Sequence, residues 1–494
     1  MSTARKILSN TGYQVMGRAF TALLSIIIVK LLTNYLEPDG YGQYVTVYSY
    51  LAFFGVAADL GLFTIAVREM SKDENNIPFI IGNVLSLRTL LCVAMMIVAI
   101  ITAAIIPKYD NTLIPLGVAI ASLSTIFSIL AGTISSVLQV HLKMQYSIFS
   151  LIIGRIVSFL YMLWIVLYAF KNDPHTGFIH LMIAGNINAA ILLGLTYFYT
   201  SKFARISYRF DWIFWRDVLI KALPYGFALI LSMIYFQIDS IILSLMKGTQ
   251  EVGIYGVPMK MLEILNIVPV FFMNSVLPVL TRHIKDHSPK VKMILQYAFD
   301  FLVITALPMV VGAYLLAYQI TFVIASPDFL SRISEGFYGS DIGIKILAFA
   351  MFFAYINSIF GFSLVALDRQ VDLLKINACG VIFNIASNIL VIPHWGFRGA
   401  AFMSIFSELL ILILTSRAVH KYVDYRISLD RAFRALFSVG IMGLVIYFLR
   451  EPFYDIMQNF LIVALIPLGA IVYIIMLIAT KAVTKDMVAL VRQK

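Results

Sequence analysis

A chain of 494 residues that is 61% hydrophobic and only 13% charged cannot cover a water-soluble domain, whose charged fraction is nearer a quarter. Its mean hydropathy is +0.91 and no long polar stretch interrupts it, so it has no room for a sizeable soluble domain. The net charge of +11 raises nucleic acid as a partner, but the cations lie in short connections between apolar runs, which excludes that class.

Taken in order, the apolar runs predict fourteen spanning helices. The first half holds 10–35, 41–67, 80–106, 113–140, 146–170 and 178–200. The second holds 218–246, 252–281, 292–324, 342–367, 372–392 and 397–420, and a final pair follows at 432–449 and 457–480. Each run is long enough to cross a bilayer as a helix and too long for a spanning strand, so the expected class is an all-α integral membrane protein. Polar or Pro-rich clusters end the runs, among them Pro38-Asp39-Gly40 and Pro393-His394-Trp395-Gly396. The N-terminal basic start precedes an apolar run with no small-residue cleavage site, so the first run reads as a retained helix. Cys92 and Cys379 both sit inside apolar runs and read as buried free thiols.

Residues 36–72 have a weaker copy at 249–285, with Gly42 and Tyr44 matched by Gly253 and Tyr255. A repeat of this length in an apolar chain points to a transporter built from two related halves. The loop charges test the helix map. With the N-terminus inside, the inner connections carry nearly all the cations, from Arg5 and Lys6 through Lys202, Arg205, Arg209 and Arg216 to Lys485, Arg492 and Lys494. The outer loops carry at most one each: Lys108, Lys171, Lys247, Arg332, Arg398 and Arg450. This positive-inside bias predicts a multi-pass protein of the cell (inner) membrane with both termini in the cytoplasm, in contact with anionic lipid. The longest inner connections, 200–217 and 417–434, divide the chain into six-helix lobes at 1–210 and 211–425 and a helix pair with tail at 426–494.

Three features in order carry a resemblance. They are LLTNYLEPDGYGQY at 31–44 with Arg68-Glu69 closing the second run, QIDSIILSLMKGTQEVGIY at 237–255, and Gly396-Phe397-Arg398-Gly399-Ala400-Ala401. The chain resembles the oligosaccharide flippases of the polysaccharide-transport group, in the superfamily that also holds lipid II flippases and multidrug/cation antiporters. The resemblance implies two pseudo-symmetric six-helix lobes around a cavity. It implies alternating access for a polyprenyl-pyrophosphate-linked oligosaccharide, with polysaccharide assembly proteins as further partners. The fourteen-helix form is similar to lipid II flippases, where the extra pair borders a groove for the lipid tail.

Charges inside spanning runs are costly and usually functional. The first half holds Arg18, Lys30, Asp59, Arg88 and Arg155; the second holds Asp239, Lys260, Glu263, Asp300 and Glu408. A pyrophosphate needs fixed cations, and guanidinium forks suit phosphate oxygens, so Arg18, Arg88, Arg155 and Lys30 are the expected substrate-binding set. Arg18 and Lys30 could equally snorkel to the two surfaces, and Arg88 or Arg155 could pair with Asp59 as a structural bridge. Lys260 and Glu263, three apart, are expected to neutralise each other. Asp239 is the expected coupling-ion ligand, with Asn384 and Asn388, four apart on one helix face, supplying neutral oxygens, and Glu408 as the substitute. These asparagines could equally join helices by hydrogen bonds. The ion is sodium or a proton, and no other cofactor is expected. No metal-ligand spacing, phosphate-cradling loop or nucleophile constellation stands out, so no enzymatic activity is expected. The alternatives are a multidrug/cation antiporter of the same superfamily and, from another class, a membrane sugar polymerase or ligase.

Overall fold

The computed structural model describes residues 3–483, with side chains described except at 3–11, 15 and 74. The charges expected at Arg5, Lys6, Lys485, Arg492 and Lys494 lie outside the described side chains. The described chain is all-α, with one isolated bridge between Arg332 and Phe337. Hydrocarbon offers the backbone no partners, so each crossing segment closes its hydrogen bonds within itself.

Among the described residues, eleven helices are long and apolar enough to cross a membrane. Three of these stretches, Gly12–Lys72, Gln370–His420 and Asp430–Ala479, run to 61, 51 and 50 residues, whereas about 20 suffice for one crossing. Each is broken by a residue of positive φ: Glu37 at 56°, Gly396 at 58° and Gln458 at 49°. Glu37 precedes Pro38, and the proline ring disfavours the helical conformation for the residue before it.

By packing, the chain divides into Met1–Gly253 and Ile254–Lys494. The first unit holds α1 (Thr3–Asp59), α2 (Leu62–Lys72), α3 (Ile77–Ile105), α4 (Ile114–Val140), α5 (Met144–Trp164), α6 (Pro174–Thr200) and α7 (Trp212–Met246), and ends in the first turn of α8 (Thr249–Leu265). The run expected as 41–67 stops at Asp59, because Leu60 and Gly61 both take positive φ before α2 begins. Tyr35 ties α1 to the α5–α6 turn, donating to the carbonyls of Phe170 at 2.5 Å and Asp173 at 3.0 Å. The Asp173 carboxylate caps α6, accepting from the Thr176 N–H at 3.1 Å.

The matched glycines of the repeat meet inside this unit. A Cβ on Gly42 would lie 1.7 Å from the Thr249 carbonyl oxygen, and one on Gly253 would lie 2.0 Å from that of Pro38. Asp39 accepts a hydrogen bond from the Thr249 hydroxyl at the same place. Here glycine is needed for backbone-to-backbone approach. Gly42→Ala is expected to cost about 2 kcal/mol, as overpacking against backbone does, read as earlier thermal unfolding in detergent. An unchanged unfolding temperature would mean the two turns part at no cost.

The second unit continues α8 and adds α9 (Ile267–Lys285), α10 (Lys290–Leu315), α11 (Ala317–Ile324), α12 (Ser340–Ala366), α13 (Gln370–His420), α14 (Asp430–Met457) and α15 (Ile462–Ala479). Two single runs expected from the sequence are interrupted: 252–281 at Asn266, and 292–324 at Leu316, where φ and ψ leave the helical region. The core of this unit is built from α9, α10 and α12 around Met273, Leu302, Met351 and Ile359. Tyr355 locks α12 to the end of α8, donating to the Leu265 carbonyl at 2.7 Å. The pair α14–α15 packs on α10, where the Tyr473 hydroxyl donates to the Ile304 carbonyl at 2.8 Å. The loop 325–341 is folded, with Asp341 accepting from the Ser331 N–H at 2.9 Å and its hydroxyl at 2.6 Å. Cys92 is buried as expected, but Cys379 is exposed on α13.

Candidate functional site

The basic residues expected to bind an anion all lie in the first unit, in different surroundings. Arg18 is exposed on the first half of α1. It follows Gly17, whose missing Cβ lets Ile148 of α5 approach within 2.5 Å of that position. Lys30 is half-buried three turns further along α1. Arg88 of α3 is 3% exposed and pairs with Asp59 at the end of α1. The expected alternative of a structural bridge is therefore present at Arg88. Asp59 engages only Nη2, and the buried Nε and Nη1 of Arg88 make no hydrogen bond among the described residues.

Arg155 differs from Arg88 in having no carboxylate within ion-pair distance among the described residues. It lies near the middle of the span Met144–Ala169, half-buried, and its Nε is enclosed without a hydrogen-bond partner. The groups whose fields it reaches are the phenols of Tyr44 and Tyr48 on α1, which hydrogen-bond to each other, with ring centroids 4.8 Å apart and planes tilted by 52°. Glycines make the space. A Cβ on Gly185 of α6 would sit 2.4 Å from the Tyr48 hydroxyl, and one on Gly154 would sit 2.8 Å from the Asn188 carbonyl. Nearby on α6, the amide oxygens of Asn186 and Asn188 are also buried without partners among the described residues, while Asn186 Nδ2 donates to the Ile120 carbonyl at 3.0 Å. In the sequence Tyr44 marks only the repeat, and Tyr48, Asn186 and Asn188 are not among the residues expected at a site. Their signal is present in it as tyrosines at 41, 44 and 48, a helical stripe, and two asparagines in an apolar run.

The residues expected to bind a coupling ion divide between the two units. Asp239 is 3% exposed on α7 in the first. Asn384, Asn388 and Glu408 lie on α13 in the second. Asn388 Nδ2 donates to Asn384 Oδ1 at 3.2 Å, so the two do share a face, and Asn384 Nδ2 reaches Ser407 Oγ at 3.4 Å across the Gly396 break. One residue on, Glu408 accepts from Asn357 of α12 at 3.3 Å, and Asn357 accepts from Thr415 at 3.0 Å. Asn357, Ser407 and Thr415 are additions that spacing could not supply, because they come from other helices or turns. One carboxylate among neutral oxygens suits a monovalent cation or a proton. Among the described residues no cluster of three His, Cys, Asp or Glu stands ready to hold a metal. Lys260 and Glu263 pair at 2.8 Å as their spacing predicts, and Asp300 is engaged by Arg431 at 2.8 Å.

Comparison with known proteins bears on this arrangement. The family described as polysaccharide biosynthesis protein matches residues 7–283. An uncharacterized membrane protein of Methanocaldococcus jannaschii, MJ1068, is 25% identical over 283 residues, 55% of this chain and 53% of the relative. The probable flippase AglR of Haloferax volcanii is 25% identical over 219 residues, 44% of each chain. The chain thus spans about half the length of the curated relatives it matches. Among solved structures, the lipid II flippase MurJ in an inward closed conformation superposes with a TM-score of 0.73, covering 95% of this chain and 98% of that one at 15% identity. An inward-facing multidrug resistance transporter of the MATE family superposes at 0.65, covering 81% and 95% at 12% identity. At these identities the likeness is one of fold.

Proposed function

We propose a function from one premise: the chain belongs to the polysaccharide biosynthesis protein family. It is an alternating-access flippase that carries a polyprenyl-pyrophosphate-linked oligosaccharide across the cytoplasmic membrane. The observation that carries this reading is Arg155, a mid-span guanidinium with a buried Nε and no carboxylate partner among the described residues. An unpaired buried charge is costly, and the cost is relieved when an anion arrives. Arg155 and Arg18, with Lys30, take the pyrophosphate; Tyr44 and Tyr48 add neutral donors. Arg88 joins them through the nitrogens that Asp59 leaves unused.

In this reading the three double-length stretches each cross twice, which makes fourteen crossings with both termini in the cytoplasm. The helices divide as two six-helix lobes and a pair bordering the lipid tail. In the second unit Asn384, Asn388 and Glu408 serve the coupling cation, sodium or a proton, and in the first unit Asp239 is the candidate for the same role.

Arg155→Ala is expected to lower export at least tenfold, since a charge-assisted hydrogen bond of about 1.5–3 kcal/mol is lost. Arg18→Ala should do the same. Arg155→Lys should stay impaired, because an ammonium cannot reproduce the guanidinium fork. The readout is lipid-linked oligosaccharide held on the inner leaflet with normal protein in the membrane. Normal export by Arg155→Ala would remove the anion site from this unit.

A further inference from the structure

The connection between α6 and α7 is a strap pinned to α3. Residues 205–211, neither helix nor strand, lie across α3. Ile206 packs into the cluster of Leu85, Leu130 and Ile134. The Arg209 N–H bonds to the Gly82 carbonyl at 3.3 Å and to Ser86 Oγ at 3.1 Å. Gly82 is what admits the strap, since a Cβ there would lie 2.4 Å from the Ser207 carbonyl oxygen. At its far end Asp211 caps α7, accepting from the Phe214 N–H at 3.0 Å, and Phe210 meets Trp215 edge to face at 4.7 Å.

The side turned away from the helices carries Tyr208, Phe210, Trp212 and Ile213, exposed by 63%, 72%, 66% and 82%. Such a row is unfavourable in water, and it lies where two spans end, which is the headgroup level of a bilayer. Cations are interleaved with it: Arg205, Arg209 and Arg216 are all exposed, and Lys202 sits over the Phe198 ring at 4.6 Å. The two carboxylates of the segment are already engaged, Asp211 in its cap and Asp217 with Lys221 at 2.6 Å.

The geometry points to a binding site for anionic phospholipid along this strap, with the aromatic row inserted at the headgroup level and the arginines on lipid phosphates. Aromatic residues alone would favour the interface without choosing a lipid; the uncompensated cations supply the choice. Because Gly82 and Asp211 already hold the backbone, little further ordering is needed on binding.

The test uses the full chain with Ile213→Cys carrying an environment-sensitive fluorophore and Cys379→Ser removing the exposed thiol; Cys92 is buried and stays unlabelled. The protein is reconstituted in mixed phosphatidylcholine–phosphatidylglycerol vesicles with bromine on one lipid or the other, at equal total bromine. The expected result is about twofold more quenching by brominated phosphatidylglycerol, falling to parity in Arg205→Gln/Arg209→Gln/Arg216→Gln and in high salt. The salt series on the protein with its arginines intact decides the matter if the triple variant does not fold. Equal quenching by both lipids would leave an aromatic belt with no lipid preference, and absent quenching would put the strap in water; either result overturns the proposal.

Discussion

Arg431→Ala is expected to destabilise the second unit by about 3 kcal/mol, the low end for breaking a buried ion pair. Asp300 on α10 has no exposed side-chain surface, and Arg431 at the start of α14 reaches it at 2.8 Å while itself 27% exposed. Gln296 completes the clamp. It donates to Asp300 at 2.9 Å and to the Ser428 carbonyl at 2.9 Å, and accepts from the Ser428 N–H at 2.7 Å. Without Arg431 the carboxylate keeps one neutral donor and must shed its charge or admit water. Because burying either ion alone is the costly step, Asp300→Leu/Arg431→Leu should recover most of the loss. Thermal unfolding in detergent reads both. If Arg431→Ala unfolds at the same temperature as the parent, the clamp does not hold α14 to α10.

The second large effect is expected at Arg88. Arg88→Met should lose about 3 kcal/mol, because Asp59 is left without its cation. Asp59→Asn/Arg88→Met should restore the unfolding temperature, since both charges are gone. Export should not return with it and should stay below about a tenth of the parent's, the loss of one charge-assisted hydrogen bond. The reason is the pair of nitrogens, Nε and Nη1, that Asp59 does not satisfy. Buried donors held without acceptors are costly, and a phosphate would take them. A double variant that is stable and exports at the parent rate would place Arg88 in a structural bridge and off the substrate's path.

The features that were legible beforehand share one property: they depend on residues close together in the chain. Lys260 and Glu263 pair because three residues return a helix to nearly the same face, and Asn384 and Asn388 bond because four do. The break at Gly396 follows the cluster Pro393-His394-Trp395-Gly396, whose backbone preferences are local. The break in the first long helix falls at Glu37, one residue before the expected turn, because Pro38 acts on the residue preceding it. Leu316 carries no such marker, and the run 292–324 gave no hint that it stops there.

The amino-acid sequence by itself determined that this is an all-α membrane protein of the polysaccharide biosynthesis family, and which helices carry charge within the bilayer. Continuous apolar runs leave no other way to satisfy a backbone in hydrocarbon, and a charge inside such a run is visible wherever it falls. Tertiary structure decided what each of those charges meets. Arg88 finds Asp59 29 residues away, Asp300 finds Arg431 131 residues away, and Arg155 reaches tyrosines of α1 and, among the described residues, no carboxylate within ion-pair distance. Tertiary structure likewise brought Gly42 against the turn at Thr249 and laid the strap over Gly82. Spacing along one helix is set by a fixed rise and rotation per residue, whereas the partner across a helix interface is set by the tilt and rotation of two helices as they pack.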